Sequence, residues 1–185
     1  MKTRDIALIA LFTALTAIGS LIKIPLGFTP VPVTLQVFFV LFAGLMLGPV
    51  RGAISIAAYV ALGAVGLPVF AGGTSGIGAL AGPSGGYLYG FIVAAFVTGL
   101  IGVVFKNNMS AFLNISGALL ASAVGIVIIY LIGATHLGLV VKLSPAKAFA
   151  LGVAPFVVVD LVKAVLVATI YFALKQRGVL ATSET

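Results

Sequence analysis

The sequence predicts an all-α integral membrane protein with six transmembrane helices. Two compositional observations and one pattern predict it. Of 185 residues, 62% are hydrophobic and only 7% are charged, whereas a soluble domain carries roughly 25% charge. So few charges cannot cover a water-facing surface. The 23 glycines suit membrane helices, which tolerate glycine and use it for close packing. The pattern is a series of apolar runs separated by Pro, Gly and basic residues, in a chain sized for one domain spanning residues 1–185. A crossing helix takes about 20 mostly apolar residues.

The first run, Ile6–Ile22, follows Lys2 and Arg4 and ends at Lys23 and Pro25. A basic start before an apolar run resembles a signal peptide. The remaining chain is equally apolar, so the run is read as a retained first helix. The prolines of KIPLGFTPVPV then force extended backbone. The second and third spans, 34–47 and 50–66, are joined by the tight turn Gly48-Pro49-Val50-Arg51-Gly52. A stretch of small residues without helical periodicity, Leu67–Gly85, leads to the fourth span, 86–105. That span stops at Lys106-Asn107-Asn108. The fifth covers 111–133.

Pro155 lies inside the last apolar stretch and would break a continuous helix. Ser144-Pro145 makes a good N-cap and first helical position, so a short helix is expected over Pro145–Ala154. The sixth span then runs 156–174, about 28 Å at 1.5 Å per residue. This places Pro155 near one membrane face.

Orientation follows from basic residues in short connections, which concentrate on the cytoplasmic side. With the N-terminus inside, Lys2, Arg4, Arg51, Lys106, Lys175 and Arg177 are cytoplasmic, against Lys23, Lys142 and Lys147 outside. Both termini are therefore expected in the cytoplasm, with the long connections facing outward. The same scatter explains the net charge of +7 without nucleic acid, since no basic stripe or lysine run exists. There are no cysteines, which excludes disulfides and thiol chemistry. No GxxxxGK[ST] phosphate loop is present, and no metal-ligand or Ser-His cluster. The glycines Gly76, Gly78 and Gly82 lack the βαβ unit that a dinucleotide fingerprint needs.

Asp160 and Lys163 carry the clearest functional signal. Of the three acidic residues, Asp5 and Glu184 lie near the ends, and only Asp160 falls inside a span. Each charge costs about 2.5–3.5 kcal/mol at a helix centre on insertion scales. The i,i+3 spacing lets the two side chains share a face and pair. Intramembrane ionisable residues default to functional sites; the competing reading is a structural ion pair. An enzymatic acid–base pair is a further alternative, although no second buried carboxylate accompanies it and His136 falls in an expected loop.

Three weaker features accompany the pair. Leu67–Phe91 is glycine-rich yet apolar, and irregular backbone at membrane depth survives only where protein buries it or it lines a cavity. Thr34 and Gln36 stand at the outer end of the second span, available to a ligand or to neighbouring helices. Ala7, Ala10, Ala14 and Ala17 form a small-residue stripe on which another helix can pack, whether inside the protein or from a partner. Gly44–Gly48 and Gly86–Gly90 are further small-residue matches of the same kind.

PVPVTLQ, the run GLPVFAGG…GPSGGYLYGF and the late D-x-x-K together resemble the BioY family, biotin-binding S components of energy-coupling-factor (ECF) transporters. The resemblance covers most of the chain. The family usually has Thr where Ser84 stands, and Pro-Gly-Asp where this chain has VVVD. It implies a six-helix ECF S-component fold with an outward pocket for biotin, in the bacterial plasma membrane. It implies as partners a membrane scaffold subunit and two cytoplasmic ATPase subunits, and hence no enzyme activity or cofactor in this chain. Ala10 and Ala14 are then the scaffold-docking stripe. Asp160, Lys163, Gln36, Thr34, Gly72, Gly73, Ser84, Gly85, Gly86 and Tyr87 are the expected substrate contacts. An S component for another small vitamin is the alternative. Biotin combines ureido N–H donors and a carbonyl with an apolar thioether ring and a carboxylate. Asp160 can accept from a ureido N–H, and Lys163 can meet either the ureido carbonyl or the carboxylate.

Overall fold

A computed structural model describes residues 2–105 and 110–177. The Lys106-Asn107-Asn108 stop and Glu184 lie outside the described residues. The fold is all-helical apart from one short ladder: α1 (Thr3–Leu21), β1 (Lys23–Ile24), β2 (Val33–Thr34), α2 (Gln36–Leu47), α3 (Pro49–Ala64), α4 (Ile77–Ala81), α5 (Gly85–Val104), α6 (Ala111–Val141), α7 (Pro145–Gly152) and α8 (Val157–Gln176). Among the described residues, four helices are long and apolar enough to cross a membrane: α1, α5, α6 and α8. The helices α2 and α3 are apolar but shorter.

Helix α5 is the hub, packing against α6, α2 and α3, while α8 packs on α6 and α2, and α1 packs on α2 and α3. The α2–α5 crossing is close because glycines face each other there. A Cβ on Gly44 would come within 2.5 Å of the Ala95 carbonyl oxygen, and one on Gly99 within 2.6 Å of Pro49 N. Lipid is as apolar as the helices themselves, so such close packing, rather than hydrophobic burial, holds them together. The outward faces are correspondingly greasy, with large exposed side chains such as Leu131, Val158 and Leu100.

Two contacts fix which ends lie together. Arg51, in the first turn of α3, donates to Asp5 at 2.5 Å and to the Leu47 carbonyl at 3.1 Å. The α2–α3 turn thus sits beside the N-terminus of α1. At the opposite end, Ser20 donates to the Val69 carbonyl just beyond α3, at 2.6 Å. The antiparallel ladder β1–β2, with Lys23 opposite Thr34 and Ile24 opposite Val33, lies at this second end.

The structure corrects the sequence reading in three places. The fifth helix does not stop at Gly133 but continues to Val141, so His136 is helical and not in a loop. Gly133 is there for close packing: a Cβ would meet the Tyr87 ring at 2.4 Å. The helix ends instead at Lys142, which adopts left-handed backbone at φ 56° and donates its N–H to the Gly138 carbonyl. Next, Thr34 belongs to β2, and α2 begins at Gln36, because the prolines before it favour extended backbone. Finally, the stretch Leu67–Gly85 is not wholly irregular, since α4 forms within it.

Candidate ligand-binding site

A cavity opens where the ladder, the α3–α5 connection, the first turns of α2, α5 and α8, and the interior of α6 at Ile129 and Tyr130 converge. Its atom-free space, the open mouth included, is about 620 Å³. Val31, Val37, Phe70, Leu88, Phe91, Ile129 and Phe156 supply apolar walls. A polar cluster sits against them.

Asp160 and Lys163 are its centre. Both are buried, at 3% and 5% exposure, although each lies on a helix whose neighbours Leu161 and Val162 face outward. Pro155 ends the preceding turn, so α8 begins with Asp160 in its first turn. Lys163 Nζ donates to Asp160 Oδ1 at 2.7 Å and to the Thr34 carbonyl at 2.7 Å. The Tyr130 hydroxyl of α6 donates to the other oxygen, Asp160 Oδ2, at 2.7 Å. Such charge-assisted bonds are roughly twice as strong as neutral ones. The pair is therefore held in place before any ligand arrives. Of the three ammonium donors, two have partners among the described residues.

Thr34 and Gln36 extend the cluster. The Thr34 hydroxyl donates to Gln36 Oε1 at 2.9 Å and accepts from the Gln36 N–H at 3.2 Å, which caps the start of α2. Gln36 Nε2 donates to the Tyr59 hydroxyl at 2.6 Å. Tyr87 lines the cavity with its ring and donates to the Gly152 carbonyl at 2.7 Å, tying α5 to the end of α7.

Thr34, Gln36, Ser84, Tyr87, Asp160 and Lys163 thus all line one cavity. The four glycines expected beside them are not brought to its wall. Gly85 and Gly86 pack on protein: a Cβ would come within 1.7 Å of the Leu80 carbonyl oxygen at the first and 2.2 Å of His136 Cβ at the second. Gly72 and Gly73 make the turn before Thr74, with φ of 74° and 75°. Their role is to shape the loop that carries Phe70, Ala71 and Thr74 to the cavity. Sequence reasoning missed Tyr130 and Tyr59. Each is a hydroxyl on an apolar helix, and a buried tyrosine hydroxyl needs a partner; that was the available signal.

The matched family is described as the BioY family, and the match runs over residues 1–178. The chain belongs to the BioY family. Curated BioY relatives are similar over nearly their whole length. The probable biotin transporter BioY of Pyrococcus horikoshii is 46% identical over 164 residues, covering 89% of this chain and 91% of that one. The biotin transporter BioY of Thermotoga maritima is 44% identical over 173 residues, covering 94% and 96%. A crystal structure of the S-component for biotin from an ECF-type ABC transporter superposes with a TM-score of 0.85 at 30% identity, over 95% of each chain. The chain therefore has the S-component fold.

Proposed function

We propose that this chain captures biotin with high affinity in the cavity at Asp160 and Lys163, as the substrate-binding subunit of an ECF-type importer. The observation that carries the reading is the buried, pre-arranged Asp160–Lys163–Tyr130 cluster opening on an apolar cavity, in a chain whose relatives are named biotin transporters. Asp160 accepts from a ureido N–H, and the remaining Lys163 donor meets the ureido carbonyl. Phe70, Phe91 and Tyr87 enclose the thioether ring, with Thr34, Gln36 and Ser84 as further polar contacts. Gly72, Gly73, Gly85 and Gly86 act indirectly, by setting the backbone around these side chains.

The membrane arrangement is six crossings, with α2 and α3 as short spans and both termini cytoplasmic in the plasma membrane. The Arg51–Asp5 pair supports this, because it holds the α2–α3 turn at the same end as the start of α1. The basic residues Arg4 and Arg51 then lie on the inner side, as the positive-inside bias requires. Transport needs a membrane scaffold subunit and two ATPase subunits as partners, and ATP hydrolysis falls to them. Ala10 and Ala14 are both exposed on α1, which favours a docking stripe for the scaffold over internal packing.

The test is direct. The chain is purified in detergent, denatured, and its released small molecules are identified by mass spectrometry, then the emptied protein is titrated with biotin. Stoichiometric biotin and saturable rebinding are expected. A different vitamin in the released fraction would keep the S-component role and replace the substrate. No small molecule and no rebinding would end the reading.

A further inference from the structure

The proposed site leaves the charge of its ligand unmatched, and the role of Lys23 rests on that biotin reading. The buried cluster is electrically balanced, with one carboxylate and one ammonium 2.7 Å apart. A neutral ureido group suits it. A second carboxylate there would add a net negative charge at low dielectric, which is expensive without a further cation. The acid end of biotin therefore lies outside this cluster, toward the mouth.

A cation that is not itself a lining residue stands next to two segments that are, Val31–Thr34 and Phe70–Thr74. Lys23 starts β1 and stands opposite Thr34 in the ladder, and Thr34 is the residue whose carbonyl holds Lys163. The Lys23 side chain lies across the backbone of Gly72: a Cβ there would come within 2.8 Å of both Lys23 Cδ and Lys23 Nζ. Gly72 follows Ala71 and precedes Thr74, both on the cavity wall. A side chain at position 72 is disfavoured by the positive φ of 74°, and it would push the end of Lys23 aside. The missing side chain leaves a bed for Lys23 beside the mouth. Among the described residues no carboxylate pairs with Lys23.

We infer that Lys23 is the counter-ion of the biotin carboxylate, and that it sets the preference of the site for the free acid over neutral derivatives. The two lysines divide the ligand: Lys163 takes the ureido end in the interior, and Lys23 takes the acid end at the rim. Because the rim is wet, the contribution of Lys23 is screened by salt, whereas that of Lys163 is not.

The experiment compares biotin with biotin methyl ester on the full-length protein in detergent, as wild type, Lys23→Gln and Lys23→Arg. Wild type should bind biotin about tenfold more tightly than the ester, between the strength of an exposed ion pair and that of a buried charge-assisted bond. Lys23→Gln should bind both ligands with the ester's affinity, and its biotin binding should lose its salt dependence. Lys23→Arg should keep the preference. Equal discrimination by wild type and Lys23→Gln would overturn the assignment. So would a parallel loss of both ligands in Lys23→Gln, which marks a structural role, or a wild type indifferent to esterification. Wild-type protein that bound neither ligand would instead overturn the biotin reading itself, and this inference with it.

Discussion

Lys163 donates to the backbone carbonyl of Thr34 at 2.7 Å although the two residues stand 129 positions apart. This bond ties α8, the helix that carries the charged pair, to the β1–β2 ladder that borders the cavity.

Removing the charge of Asp160 tests the core of the site. Asp160→Asn keeps the volume but strands Lys163 beside a neutral amide, and it replaces an acceptor oxygen by a donor. Hydrogen bonds to charged groups contribute about 1.5–3 kcal/mol, which corresponds to a roughly 10- to 150-fold loss of affinity. Titration calorimetry on the folded variant reads it. Unchanged affinity would return the pair to a structural ion pair.

Tyr130→Phe probes the residue that the sequence did not flag. It removes the donor to Asp160 Oδ2 while leaving the ring in place. We expect a loss of affinity in the same direction as Asp160→Asn but smaller, roughly 3- to 15-fold for one bond to a charged acceptor partly replaced by water. Because the two act on one carboxylate, the double variant should lose less than the sum of the two in free energy. Strict additivity would show that Tyr130 acts independently of Asp160.

Phe70 fills the space that Gly63 leaves. A Cβ on Gly63 would lie within 2.1 Å of the Phe70 ring, and Phe70 is buried in the cavity wall. Gly63→Ala must displace that ring, and overpacking of this kind costs about 1–3 kcal/mol. Both the thermal midpoint in detergent and the affinity for biotin should fall. A variant with wild-type midpoint and affinity would mean that Phe70 moves aside without loss.

Membrane topology can be read with single cysteines, since the chain has none of its own. Val50 and Ile77 are both exposed, at 60% and 75%. Val50→Cys should react with a membrane-impermeant maleimide only from the cytoplasmic side, and Ile77→Cys only from outside. A reporter fused at Thr185 should agree with Val50. Labelling of Val50→Cys from outside would replace the short α2 and α3 spans by a re-entrant hairpin.

Capture and transport separate at α1. Leu at both Ala10 and Ala14 adds bulk to an exposed stripe, where a scaffold helix must approach closely. Biotin binding by the isolated double variant should stay near normal, while uptake through the complete transporter and copurification with the scaffold both fall. Undiminished uptake would remove the docking role. Collapse of binding and expression together would place the stripe in the protein's own core.

The sequence by itself determined the membrane class, the Pro155 break before α8 and the identity of the charged pair. These rest on local properties: a near-absence of charge, a residue without an N–H, and an i,i+3 spacing within one helix. It also singled out Thr34, Gln36, Ser84 and Tyr87, which line the same cavity. Only the tertiary structure decided which partners these groups have. Tyr130 meets Asp160, Tyr59 meets Gln36, and the Thr34 carbonyl meets Lys163, each across a helix crossing that no local pattern encodes. The same holds for the glycines. Gly133 reads in sequence as a helix end, yet the helix runs on to Val141 and the missing side chain makes room for the Tyr87 ring. A glycine's meaning depends on what stands opposite it, and that is fixed only when the helices pack.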